Sequence, residues 1–189
     1  MLTVYIDFKS ADAYLAMAPT LALARRTSID LDWKPFRVIE REVPPLRSRE
    51  TIGESHRRVR AQSQRDLAIK YAAHQGIDLR FPPATGSTDL ALAVLGAIEV
   101  DPLPFILAAF EAYWVSHADL DDPRIVSRLM TDSQTQLSCD LDAARGRFDL
   151  AQAEAEETGI VGVPAYLIQE QIFVGRQHLP WIEDLVCNT

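Results

Sequence analysis

Sulfur is scarce in this chain. Its two cysteines, Cys139 and Cys187, stand far apart, so neither a disulfide framework nor a C-x-x-C dithiol motif is present. Glycine-rich phosphate loops are missing, as is the G-x-S-x-G elbow that would make a serine an acyl-transfer nucleophile. No apolar run approaches the roughly 20 residues of a membrane helix. Positive charge is short as well: 19 Lys and Arg against 27 Asp and Glu leave a net charge of −8. Phosphate binding needs clustered cations, so this balance argues against nucleic acid as a partner. His56, His74, His117 and His178 share no ligand spacing with one another or with the cysteines, and no metal site is expected. The opening Leu2-Thr3-Val4-Tyr5-Ile6-Asp7-Phe8 lacks a basic stretch and a small-residue cleavage site. It reads as a strand rather than a secretory signal, and a cytoplasmic protein is expected.

What remains is an ordinary globular composition, 48% hydrophobic and 24% charged over 189 residues, enough for one domain or one domain with a large insertion. Leu2–Phe8 suits a buried strand. Ala11–Arg26 reads as a helix with Tyr14, Met17, Ala18 and Leu21 on its apolar face and Pro19 as an internal interruption. Ile29–Val38 reads as a second strand, parallel to the first because a helix connects them. Residues 39–55 form a long polar loop, and a charged helix runs from His56 to Gln75, closed by Gly76. Leu79–Pro83 is extended. Helices follow at 88–100, 104–117, 122–130 and 141–158, then strands at 164–168 and 172–174 and a last helix at 179–186. This α/β order, βαβ, helices, αββα, requires the two ends of the chain to share one sheet.

Two positions carry candidate chemistry. Gly162-Val163-Pro164 introduces the strand Ala165–Ile168, and a proline next to a sheet belongs at a strand's first residue or at an edge. With a cis Val163–Pro164 bond the Val163 N–H and C=O would face a cleft, free to pair with an extended ligand. Cis occurs in only about 5–6% of X-Pro bonds, so the residues alone do not establish it. Ser10 stands just before the first helix. Serine is a preferred N-cap there, and the same place gathers unpaired N–H groups and the positive end of the helix dipole. Helix starts lower thiol pKa values, and a hydroxyl donating to a sulfur anion adds roughly 1.5–3 kcal/mol. Capping and anion binding both stay open, and one serine can do both. Asp12, in the first turn, suits the dipole yet raises the pKa of a nearby thiol, which makes it a candidate modulator. Arg37, Arg41, Arg47 and Arg49 are either binders of a substrate carboxylate or simply solvated. Phe110, Tyr113 and Trp114 read as core.

Four stretches add up to a family likeness: Ile6-Asp7-Phe8-Lys9-Ser10 with Tyr14-Leu15-Ala16, Trp33-Lys34-Pro35-Phe36, Gly76-Ile77-Asp78-Leu79-Arg80-Phe81-Pro82, and Gly159 to Pro164 continuing through Phe173-Val174-Gly175. Together they resemble the DsbA-like branch of the thioredoxin fold, within it the 2-hydroxychromene-2-carboxylate isomerases and kappa-class glutathione transferases. The resemblance implies a thioredoxin-like domain from residues 1–38 and 139–189 around an all-helical insertion at 39–138. It implies glutathione as co-substrate, with Ser10 hydrogen-bonding the sulfur and Val163 and Pro164 clamping the tripeptide backbone. The isomerases add and remove that thiolate to permit rotation about a double bond, so the implied substrate is a small hydrophobic or aromatic electrophile. The family's Gly-x-Asp-Arg run is Gly175-Arg176-Gln177-His178 here, placing Arg176 and Gln177 at the γ-glutamyl end with an amide in place of the carboxylate. After the serine, Ala11 and Asp12 replace the family's proline and aromatic. Relatives also pair as homodimers.

Two other readings keep the fold: a redox-inactive binding module, or a thiol-disulfide oxidoreductase, for which Ser10 occupies the place of the required cysteine. Insulin reduction with dithiothreitol as the electron source should proceed at the background rate. Clear turnover would mean that one of the two cysteines reaches the first helix after all.

Overall fold

In the computed structural model, which describes residues 1–39 and 51–188, the two ends of the chain do share one sheet. β1 (Leu2–Ile6) runs parallel to β2 (Leu31–Pro35) and antiparallel to β3 (Ala165–Ile168), which pairs antiparallel with β4 (Gln171–Val174). The strand order is β2-β1-β3-β4. Along β1 the side chains alternate between fully and partly buried, as a strand packed more heavily on one face requires. The helices are α1 (Ala11–Thr27), α2 (Ile52–Gln75), α3 (Asp89–Ala97), α4 (Leu103–Trp114), α5 (Pro123–Asp132), α6 (Leu141–Thr158) and α7 (Leu179–Cys187). A 3-10 turn over Arg176–His178 precedes α7.

α1 tolerates Pro19 in its interior, but its buried face differs from the expected stripe. Ala13, Leu15, Ala16, Met17, Thr20 and Leu23 are buried, Ala18 is exposed, and Tyr14 and Leu21 are half-buried. The helix packs on α7 and the 3-10 turn and also reaches β3 through Thr20, so its contact surface is wider than one stripe. Arg25 and Arg26 complement the dipole at its last turn.

α2 begins at Ile52, four residues before the expected His56. Thr51 accepts from the Glu54 N–H while the Glu54 carboxylate takes the Thr51 N–H, a complete capping box. At its other end Gly76 adopts φ +69°, a left-handed conformation that glycine accepts without strain. The described residues divide into two compact units, those within 39–79 in one and those within 1–38 and 80–188 in the other. Helices α3 to α5, which the sequence reading assigned to an insertion ending at 138, therefore group with the sheet, because α3 packs on both β2 and α6.

The β1–α1 turn is held from α4. Phe8 is fully buried and meets Phe105 and Phe110 edge-on, with centroids 6.1 and 5.2 Å away. The Trp114 indole N–H donates to the Phe8 carbonyl at 2.9 Å. Phe110, Tyr113 and Trp114 are all buried, as core residues should be.

β3 is fixed from α1 by a buried hydroxyl pair. Tyr166 Oη and Thr20 Oγ1 lie 2.9 Å apart, and burial pushes the Tyr166 pKa up to about 12. Thr20→Val keeps the shape but strands the phenol, a loss of about 1–3 kcal/mol. For a chain of this size that lowers Tm by roughly 2–4 °C per kcal/mol. An unchanged urea midpoint would show that the pair contributes nothing.

Candidate functional site

Ser10 follows the C-terminal end of β1 by a tight turn in which its N–H donates to the Asp7 carbonyl at 3.0 Å. It is the N-cap of α1, in extended conformation at φ −88°, ψ 112°. Its Oγ accepts from the Ala13 N–H at 3.2 Å, and its carbonyl accepts from the Tyr14 N–H at 3.0 Å. A serine hydroxyl has one proton and two lone pairs. Capping uses a lone pair, so the proton stays available, and it has no acceptor among the described residues. The N–H groups of Ala11 and Asp12 likewise have no hydrogen-bond partner there. Two amides and one hydroxyl proton thus gather where the helix dipole favours negative charge.

The register of β1 against β3 decides what faces this turn. Thr3 pairs with Leu167, Val4 with Tyr166 and Tyr5 with Ala165. Continued by two residues, that register sets Pro164 beside Ile6 and Val163 beside Asp7. Ser10 and the Val163–Pro164 peptide therefore stand at the same end of the sheet. That peptide is cis. The Pro164 carbonyl is taken by the Gly175 N–H at 2.7 Å, whereas the N–H and C=O of Val163 have no partner among the described residues. The Val163 side chain, partly buried, packs against a cluster of Phe36, Ala155, Ile160 and Ala165.

Asp7 is a functional candidate that the sequence reading missed. Its carboxylate is fully buried and accepts from the Lys9 N–H at 3.2 Å, the Val38 N–H at 2.8 Å and the Thr88 hydroxyl at 2.7 Å. The Lys9 ammonium, 13% exposed, lies 3.8 Å from it. Burial raises the Asp7 pKa above the ordinary carboxylate range, and these bonds and the Lys9 charge only partly oppose that. Because the folded value is the higher one, this group favours folding fully in acid, and that contribution is lost as the pH climbs through the raised value. The one available sequence signal was an acid closing a run of apolar strand residues.

The remaining candidates sort unevenly. Asp12 is exposed on the first turn of α1. Gln177 donates its amide to the Val174 carbonyl at 3.1 Å and folds over Gly175, whose φ of +100° and lack of a Cβ make room for it. Arg176 is half-buried, and its charge acts on Tyr166. Arg37 is no free anion binder: its guanidinium is bound to Asp89 at 2.9 Å and Asp149 at 3.2 Å and stacks 4.8 Å above the Phe148 ring. It clamps the exit of β2 to α3 and α6. Arg41, Arg47 and Arg49 lie outside the described residues. A cavity of about 320 Å³ lined by Pro82, Ser87, Tyr113, His117 and Asp121 does not include Ser10 or Val163. Among the described residues no metal-binding group of His, Cys, Asp or Glu occurs, and no helix is long and apolar enough to cross a membrane.

Residues 1–186 match the family described as the DSBA-like thioredoxin domain. The chain is 27% identical over 192 residues to a 2-hydroxychromene-2-carboxylate isomerase of Sphingobium xenophagum, covering 97% of this chain and 96% of the relative. A solved 2-hydroxychromene-2-carboxylate isomerase superposes with a TM-score of 0.75 at 16% identity, covering 99% of this chain and 94% of the other. The cytosolic disulfide reductase DsbM of Pseudomonas aeruginosa, solved with GSH, superposes at 0.59 with 14% identity, covering 99% and 96%. The fold is therefore thioredoxin-like, of the DsbA-like kind.

If the first turn of α1 favours an anion, the thiol introduced by Ser10→Cys should titrate below the ordinary value of about 8.5. Alkylation rate against pH reads this directly, and a thiol at or above 8.5 would show that the exposed carboxylate of Asp12 outweighs the open amides.

Proposed function

We propose that this chain, which belongs to the DsbA-like thioredoxin-domain family, is a glutathione-dependent isomerase or transferase-like enzyme acting on a small hydrophobic or aromatic electrophile. The observation that carries this is the hydrogen-bonding capacity that the described residues leave unused at one end of the sheet: the Ser10 proton, the amides of Ala11 and Asp12, and both backbone groups of Val163. An extended tripeptide matches it. Its backbone would pair with Val163 as an added strand does, through main-chain bonds. Its thiolate would then lie against Ser10.

In the isomerase reading, the Ser10 hydroxyl donates to the glutathione sulfur and holds it as a thiolate. The thiolate adds to an electrophilic carbon of a conjugated double bond, and the electron pair moves onto the substrate's carbonyl oxygen. The former double bond is now single and rotates. Collapse of the enolate restores the double bond and expels the thiolate, so glutathione emerges unchanged. Arg176 and Gln177, at the 3-10 turn beyond the hairpin, would meet the γ-glutamyl end, and Asp12 would temper the thiolate. The likeness to 2-hydroxychromene-2-carboxylate isomerase supports the rotation chemistry. In a kappa-class transferase-like variant the enolate instead takes a proton from water and the thioether is released, and a cytoplasmic homodimer is part of either proposal.

One observation favours a second reading, a binding module without glutathione chemistry. Gln177 replaces a carboxylate and donates its amide to its own hairpin, which weakens the hold on an ammonium group. A thiol-disulfide oxidoreductase is disfavoured, because Ser10 has no sulfur to form the mixed disulfide.

A ligand that binds only the folded state must stabilise it, by about 2.7 kcal/mol at a hundred times its Kd. Millimolar glutathione should therefore raise Tm, and Ser10→Ala should shrink the response. Absence of any shift in the parent protein would leave the binding-module reading standing.

A further inference from the structure

We propose that Asp7 is the positioning residue of the Ser10 site: from the buried end of β1 its carboxylate ties together the three segments that meet there and so fixes where the Ser10 hydroxyl stands. The three bonds run to three different parts of the chain. Lys9 belongs to the turn that delivers Ser10, Val38 to the exit of β2, and Thr88 to the start of α3. Sequence separations of 31 and 81 residues mean that no local structure would bring these donors together on its own.

Thr88 shows that the arrangement takes precedence over local preference. It occupies the N-cap of α3, a position where threonine ordinarily accepts from the first turn. Here it makes no cap bond and instead donates to Asp7 at 2.7 Å. Ser87 takes up part of the vacated role by accepting the Asp89 N–H at 3.2 Å. The Asp7 carboxylate also sits where it harms an anion least. Lys9 faces it at 3.8 Å from the same turn. The neighbouring charges Arg37 and Asp89, each adjacent in sequence to one of its donors, pair with each other. Its negative charge is thus answered locally, three residues from the group we assign to a thiolate.

This deepens the reading of Ser10 as a ligand-binding group and rests on it, but the test below needs no ligand. Asp7→Asn keeps the size of the side chain and replaces one acceptor oxygen with an NH2 that meets donors. Site-resolved amide exchange then reports the result. Loss at Lys9 and Val38 is trivial, since their N–H groups touch the carboxylate. The informative amides are Ser10 and Ala13, which donate to the Asp7 carbonyl and the Ser10 hydroxyl and not to the Asp7 carboxylate. We expect their protection to fall about tenfold or more while that of Val4 and Tyr166 holds. Should Asp7→Asn not fold, Thr88→Val and Thr88→Ser decide by the same amides: valine should reproduce the selective loss, and serine, which keeps the hydroxyl, should restore it. The proposal is overturned if Ser10 and Ala13 keep their protection, or if every sheet amide falls together. A selective loss in a protein whose Tm ignores glutathione would leave the positioning role intact and remove the glutathione reading alone.

Discussion

Everything at this site follows from the register of β1 against β3. Side chains alternate along a strand, so a slip of one residue would carry each to the opposite face and every partner one place along. Tyr166 would leave the buried face that lets it meet Thr20. Ala165 would leave the cluster it forms with Phe36 and Ile160. Val163 would no longer stand beside Asp7, at the foot of the turn that delivers Ser10. Apolar burial, which includes the Val163 side chain, and one hydroxyl pair thus set the geometry of a polar site. The two are comparable, roughly 1.5–3 kcal/mol for each fully buried large apolar side chain and about 1–3 kcal/mol for the hydroxyl pair.

The electrostatics of the turn can be weighed with the same plainness. An anion beside Ser10 gains a hydrogen bond from the hydroxyl, roughly 1.5–3 kcal/mol, and about 0.3–1 kcal/mol from the helix start. Against it stand two carboxylates. Asp12 is exposed and screened by water and salt. Asp7 is buried, but Lys9 and three hydrogen-bond donors face it. The attractive terms are close and oriented, whereas Asp12 is screened and Asp7 partly offset by its donors, and the proposed anion site rests on that balance. The guanidinium of Arg37 takes no part, because Asp89 and Asp149 hold it.

What could be read from the residues was local, or was carried by a recognisable string. The strands, the capped start of α1, the glycine that closes α2 and the proline at the entry to β3 each announce themselves within a few residues. So does the Thr51–Glu54 capping box, which sets the start of α2 at Ile52 rather than at the expected His56. Asp7 is different in kind. Its partners come from β2 and α3, and nothing near Val38 or Thr88 marks them as donors to it. Arg37 is the mirror case: an arginine after a strand looks available until Asp89 and Asp149 arrive from α3 and α6. The grouping of α3 with the sheet also escaped, since a helix buried on most sides has no polar face to reveal which neighbour it joins.

A serine at this N-cap changes the task of the helix start without moving it. A cysteine here would be the nucleophile, its thiolate sustained by the open amides and the dipole. Serine cannot serve that way, because its hydroxyl is far too weak an acid to ionise on such help. It can do what a thiolate cannot: accept from Ala13 and still offer a proton outward. Among the described residues the electrostatic provision for an anion then has no owner, and the backbone groups of Val163 at the same edge pair with no strand. In the reading we propose, one kind of molecule meets both needs, a short extended peptide that carries its own thiol.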